Sequence, residues 1–387
     1  MTLSVGLFTY STLPRGSVVH TAHLADALHD AGCDVTVYAL DKDGRGFFRS
    51  LRARLRLVPA SPPPPSTAEL VRVRRHELGA FVTRNRMTHD LHHAEDCLTA
   101  SGLLAARAMG TEAALVRTVH HVERFEDPYL ASCQERSIRE TDRCLSVSQA
   151  ARQDVVRHFG VDSVVVGNGV DVERFQAVDA DSVAAWRAQL GDAGPLVLAV
   201  GGVEERKNTL RILSAFARLR HTHRTAQLWI LGGASVLDHG AYRAAFETAR
   251  AALPSETRAA VRELGVVAER DVPALYRLAD VVALPSLHEG FGLAALEALA
   301  AGTPVVVSNR PPFTEFLTAD FATLVDPLSD DAIARGLFAA LGASPARRDR
   351  GRCAALAHGW AGVAAKHIVE YERILAHARD ALLGSLA

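Results

Sequence analysis

The chain has 387 residues, with 43 Lys and Arg against 44 Asp and Glu, which is long enough for two domains and close to neutral. Without a basic excess it does not read as a nucleic-acid-binding protein. No apolar run approaches the ~18 residues that span a bilayer. The five cysteines (33, 97, 133, 144, 353) are scattered without metal-ligand spacing and read as reduced, cytosolic thiols.

Leu3 to Phe8 is an apolar run that predicts a first strand, and no basic segment precedes it to suggest a signal peptide. Tyr10 to Ser17 predicts a loop, Val18 to Ala31 a helix ended by Gly32, and Cys33 to Leu40 a second strand. This is a βαβ unit of doubly wound length. Between Gly44 and Arg86 ten arginines (45, 49, 52, 54, 56, 72, 74, 75, 84 and 86) meet only Glu69 and Glu77, and Ser61-Pro-Pro-Pro-Pro-Ser66 forms an extended spacer. Two readings stay open: a solvated arginine-rich face, or a surface meeting an anionic membrane or acceptor, with Phe47 and Phe48 beside it.

Cys144 to Ser148 is a further strand, and 176–195 reads as a linker. Leu196 to Val200 restarts a parallel sheet. Gly201-Gly-Val-Glu-Glu-Arg-Lys-Asn208 leads into a helix, Thr209 to Leu219, and Gln227 to Leu231 is the next strand. A helix capped by Asp271 leads to Val281–Leu284, an apolar run suited to a buried parallel strand. Gly290 and Gly292 break the chain before the helix Leu293 to Ala301, which Gly302 stops, and Pro304 to Ser308 is β-branched. Thr323 to Pro327 gives the last strand signal, and Trp360 to Leu383 an amphipathic helix.

The loop after Leu284 has the features of an anion site. It leaves the carboxyl end of a parallel strand, and the next helix points unpaired N–H groups at that spot. Glu289 lies in the loop and Glu297 in the second helical turn, so two carboxylates reach the same ligand. Glu289 and Glu297, with Gly-Phe-Gly between them and Ala-Leu-Ala-Ala-Gly-Thr-Pro-Val-Val after, resemble the E-x7-E signature of retaining, nucleotide-sugar-dependent glycosyltransferases of family four. The resemblance covers nearly the whole chain and is strongest from Gly201 to Pro327.

That resemblance implies a GT-B architecture: two Rossmann-like α/β domains facing across a cleft. The acceptor-binding domain would be 1–178, the nucleotide-sugar-binding domain 195–360, and 361–387 a helix returning to the first domain. It implies a donor site of Gly16, Ser17, Arg206, Lys207, Gly290, Phe291, Gly292, Leu293 and Glu297. Glu289 would meet the donor sugar and Glu297 the ribose. His120, in Arg117-Thr-Val-His-His121, takes the place of the family's active-site histidine, against the plainer reading of a structural ring. Thr88 to Asp96 resembles the strand end that opens onto the acceptor, Gly167 replaces a proline in the family's P-N-G-V-D turn, and Leu264 to Val267 would hold the base. Ser17 replaces a second glycine, with strain expected if its φ were positive. Gly202 replaces a usual arginine, with Arg206 as the candidate substitute.

The expectation is transfer of a hexose to an unidentified acceptor, with no metal and no cofactor beyond the nucleotide sugar. The place expected is the cytoplasm, peripheral to the inner face of the membrane if residues 45–86 meet lipid. A sugar-nucleotide epimerase of the same architecture and a non-catalytic nucleotide-sugar-binding protein remain as alternatives. A dinucleotide-dependent dehydrogenase lacks support, because no strand is followed by G-x-G-x-x-G.

Overall fold

The computed structural model describes residues 2–191, 194–233 and 240–385. The chain forms two compact units, one from residues up to Gly169 together with those from Trp360 onward, the other Val170–Gly359. Each is built on one parallel sheet.

The first sheet has seven strands: β1 (Ser4–Thr9), β2 (Asp34–Asp41), β3 (Arg54–Pro59), β4 (Leu91–Ala94), β5 (Ala114–Val119), β6 (Arg143–Ser146) and β7 (Val164–Val165), in the order β3-β2-β1-β4-β5-β6-β7. The second has six: β8 (Leu196–Val200), β9 (Gln227–Leu231), β10 (Val261–Gly265), β11 (Val281–Leu284), β12 (Val305–Ser308) and β13 (Thr323–Val325), in the order β10-β9-β8-β11-β12-β13. Both orders run outward from the first strand and then reverse, so each sheet has a switch point, at β1/β4 and at β8/β11. Side-chain alternation explains why the second sheet reads as unbroken apolar runs: Leu196 and Leu198 enter one core, while Val197 and Ala199 enter the core on the opposite face.

One expectation changes. The segment 176–195 is not simply a linker. It carries the helix Ala180–Leu190, with Asp179 as its N-cap accepting from the amides of Asp181 and Ser182; Asp192 lies outside the described residues. The arginine-rich region is likewise ordered: it contains the edge strand β3 and the helix Thr67–Arg84, capped by Ser66. Its arginines pair with acids from elsewhere in the first unit, Arg49 with Asp26 at 2.8 Å, Arg52 with Asp30 at 2.6 Å, and Arg54 with Asp34. Arg74 meets Glu77 at 2.6 Å, and Arg72 lies 4.2 Å over the Tyr129 ring. These contacts involve five of the ten arginines and leave both readings of the region open.

The last helix, Trp360–Ser385, packs on the helix Gly16–Asp30 and near β5. Its Tyr371 is fully buried and hydrogen-bonds His93 at 2.7 Å, and its Glu370 pairs with Arg143 at 2.6 Å.

Candidate active site

In the second unit the chain leaves β8 through Gly201–Asn208 and leaves β11 through Pro285–Gly292. These strands are neighbours at the switch point, where open α/β sheets bind ligands. Glu289 is the hub between the two loops. Lys207 Nζ lies 2.6 Å from Glu289 Oε1, Ser286 Oγ donates to the same oxygen at 3.0 Å, and Arg206 Nη1 donates to Oε2 at 3.1 Å. Burial pushes the Glu289 carboxyl up, but the charges of Lys207 and Arg206 and the hydrogen bonds outweigh it and hold the group down at about 2. Glu289 is therefore a carboxylate at pH 7, ringed by two cations and a hydroxyl, an arrangement suited to ordering donors and charge around a ligand rather than to giving up a proton.

Glycine is required around this hub. Gly201 has φ +118°, and a Cβ there would lie 2.5 Å from Lys207 Cε, so its absence lets the lysine lie across the backbone. Gly202 has φ +76°, and a Cβ there would lie 2.9 Å from the Gly233 carbonyl. The arginine usual at this position has no room here. Arg206, on the same loop, reaches Glu289 beside Lys207.

Asn208, not singled out in the sequence, ties the site together. It sits at φ 62°, 1% exposed, and its Nδ2 donates to the carbonyls of Pro285 at 2.9 Å and Pro327 at 2.7 Å. One amide thus fastens the loop after β8 to those after β11 and β13.

Beyond the loop, the helix Leu293–Ala301 begins at Gly292 (φ 100°) with no side-chain cap. Leu293 is its first residue, so its backbone belongs to the uncapped amide end, a feature that suits an anion. The Phe291 ring stacks on Phe316 at 4.7 Å, so that side chain is committed to packing and only its backbone remains for a donor. Glu297 accepts a 2.6 Å hydrogen bond from the hydroxyl of fully buried Tyr276, and burial pushes its carboxyl up. Tyr276 was missed because a tyrosine in an apolar helix reads as core; only its partner, 21 positions on, shows a second role.

In the first unit, Gly16 and Ser17 open the helix Gly16–Asp30, which has no side-chain cap. The strain anticipated at Ser17 does not arise: it is helical, and among the described residues only Arg86 and Asn208 are non-glycine positions with positive φ. His120 follows β5, and its Nε2 lies 3.0 Å from Glu95 Oε2. His121 is instead exposed and pairs with Glu123 at 2.5 Å. Glu95 and its neighbour His20, both fully buried, were also missed. Among the described residues, His20, Glu95 and His120 form the one group whose donor atoms are close enough to hold a metal ion, all within 4.8 Å.

Comparison with known proteins agrees with both sheets. The family model "Glycosyltransferase Family 4" matches residues 14–174, and "Glycosyl transferases group 1" matches 184–355. A D-inositol 3-phosphate glycosyltransferase of Xylanimonas cellulosilytica is 30% identical over 318 residues, 76% of this chain and 74% of the relative. The chain belongs to the family-four glycosyltransferases. This family-four chain is also 31% identical over 232 residues to glycogen synthase of Mycobacterium tuberculosis, spanning 57% of its own length and 52% of that protein's. It thus spans about half the length of that relative. Among solved structures, sucrose-phosphate synthase from Thermosynechococcus elongatus has a TM-score of 0.79 at 21% identity, covering 97% of this chain and 100% of that one. Anabaena HepE in complex with UDP and glucose has a TM-score of 0.75 at 19% identity, covering 95% and 98%. These likenesses show the GT-B class of fold, with two Rossmann-like domains.

Proposed function

We propose that this family-four chain transfers a hexose from a nucleotide diphosphate sugar, with retention of configuration, to an acceptor bound by its first unit. The observation that carries the reading is the Lys207–Glu289–Arg206 cluster at the β8/β11 switch point. Breaking the bond at the anomeric carbon leaves negative charge on the diphosphate, which fixed cations and amides stabilise in the transition state. Lys207, Arg206 and the uncapped end of Leu293–Ala301 supply both without a metal. Glu289 then holds these cations in place and accepts from sugar hydroxyls, while Glu297, oriented by Tyr276, accepts from the ribose. His120 supplies a polar ring to the sugar. The relatives named above are glycosyltransferases or polysaccharide synthases, and HepE is seen with UDP and glucose, which favours a nucleotide-sugar donor.

The test is a panel of nucleotide sugars incubated with and without sugar acceptors. Nucleoside diphosphate release that requires acceptor, with the new bond keeping the donor's configuration and unaffected by a chelator, is the expected result. An epimerised sugar nucleotide, or tight binding without turnover under any condition, overturns it.

A further inference from the structure

Glu95 is a full-length carboxylate with 0% exposure at the end of β4, at the switch point of the first sheet. Such a group needs partners, yet among the described residues Oε1 has no hydrogen bond and Oε2 has one, from His120. Three other histidines surround or adjoin it, and the hydrogen-bond pattern gives the N–H of each another partner than Glu95. Asn168 Oδ1 accepts from the Gly169 amide at 2.9 Å, which identifies it as oxygen, so His20 Nδ1 at 3.1 Å must be its donor. The His20 Nε2, 3.7 Å from Glu95 and without a hydrogen bond, then carries only a lone pair. His93, whose Nε2 lies 3.8 Å from Glu95 Oε1, is engaged at both nitrogens by the hydroxyls of Tyr371 and Thr118, each at 2.7 Å. His367 Nδ1 donates to the Val363 carbonyl at 2.8 Å. His120 is thus the one ring placed to donate to Glu95. Burial holds His120 well below the usual histidine range, so at pH 7 its ring is neutral with a single N–H. Burial pushes the Glu95 carboxyl up, against the charge of Arg117, and the proposed acceptor of that proton is the ionised form.

We infer that Glu95 is a positioning residue for His120: by accepting the Nε2 proton it locks the ring in one tautomer and presents the Nδ1 lone pair as an acceptor for a substrate hydroxyl. No hydrogen bond engages Nδ1 among the described residues, and the side chain is 14% exposed. The inference rests on the proposed role of His120 in hexosyl transfer, but its central claim is measurable without any turnover. A carboxylate that orients a neutral imidazole by one ring nitrogen decides what the other nitrogen offers. Removing such an orienting group is costly when chemistry depends on the tautomer.

The experiment uses the full chain labelled with ¹⁵N-histidine, with His120→Ala to assign the signal. Long-range nitrogen–proton spectra at pH 7 are expected to show His120 protonated at Nε2 and bare at Nδ1. A His120 protonated at Nδ1 overturns the inference whether or not the protein is a transferase. In kinetics, Glu95→Gln is expected to lower kcat ~10-fold or more while leaving the donor KM within about twofold, and Glu95→Asp to recover part of the loss. Undiminished kcat in a folded Glu95→Gln overturns the positioning role. Loss of donor affinity with kcat intact does the same. So does one equivalent of zinc retained by the wild type and lost in His20→Ala, since the same three side chains would then be metal ligands. Wild-type inactivity on every donor, with the Nε2–H tautomer observed, would instead count against the proposed reaction and leave the Glu95–His120 pairing standing.

Discussion

At the scale of single residues, the second unit turns on Lys207, which the sequence already marked: only three of 43 basic residues are lysine. What the sequence could not show is its tie to Glu289, 82 positions away, which changes the expected outcome. A lysine on a solvated loop would be lost without harm to the fold, whereas this one is 15% exposed and neutralises a carboxylate that is 9% exposed. Lys207→Ala is therefore expected to lower turnover by about two orders of magnitude and also to cost on the order of 3 kcal/mol of stability. Lys207→Arg should recover part of each, since the same charge arrives on a rigid planar fork. Steady-state turnover and urea unfolding of the three proteins check both. Acid should act on the same pair. The Glu289 carboxyl is held at about 2 instead of 4.5, so its contribution is complete above pH 4.5 and is lost as pH falls from there to about 2. Unfolding free energies of wild type and Glu289→Gln should converge over that window, by ~3 kcal/mol in all. A gap between them that stays constant with pH rules this out. The second carboxylate gives a cleaner comparison. Tyr276→Phe removes the one hydroxyl that orients Glu297 and is expected to weaken nucleoside diphosphate binding ~10-fold, with kcat at saturating donor nearly kept; calorimetric titration measures it.

Among the elements, parallel strands buried on both faces were legible from the sequence, because β8 and β11 are continuous runs of Val, Leu and Ala and β12 is three valines before Ser308. β3 was not. Its residues alternate Arg-Leu-Arg-Leu, it lies at the sheet edge, and four of its six residues are exposed, so its apolar content gives no run. Charges on an edge strand also block pairing with another chain, which explains why arginine is tolerated there. The loop glycines were legible as turn residues, but the reason for each lies in tertiary contacts. At Gly292 the φ of +100° and a would-be Cβ 2.4 Å from Phe313 both forbid a side chain. Gly292→Ala should therefore shift either the turn or Phe313, on which the start of Leu293–Ala301 depends. The expected result is a loss of about 1–3 kcal/mol together with weakened nucleotide binding, read by thermal unfolding with and without nucleoside diphosphate. An Ala variant as stable as wild type would show that this helix start is not rigid. Gly16 is the opposite case: it is helical, a Cβ there meets nothing within 4 Å, and Gly16→Ala is expected to be close to neutral for folding.

For the molecule as a whole, consider how the backbone enters and leaves the second unit. Val170 pairs with Gly359, and the Val170 amide donates to the His358 carbonyl at 2.8 Å. On the other side of each crossing, Gly169 lies against Trp360, with a would-be Cβ 3.1 Å from the Trp360 Cα. The ends of the second unit are thus stitched to each other, and so are the cut ends of the first. In topological terms, Val170–Gly359 is an excursion out of a chain that resumes where it left off. Closing the gap costs almost no loop entropy, because the ends already touch. Such an excursion is separable. Residues 170–359 expressed alone are expected to fold cooperatively and to bind a nucleoside diphosphate within about tenfold of the full chain's affinity, without any transfer. A shortened chain in which a few glycines join Gly169 to Trp360 should likewise fold, and should keep the His120–Glu95 pair. Circular dichroism and calorimetry on the two fragments decide it. The linear order of the gene and the order of assembly then differ: the first unit is left incomplete until its final helix has been made, whereas the second can close before the chain ends.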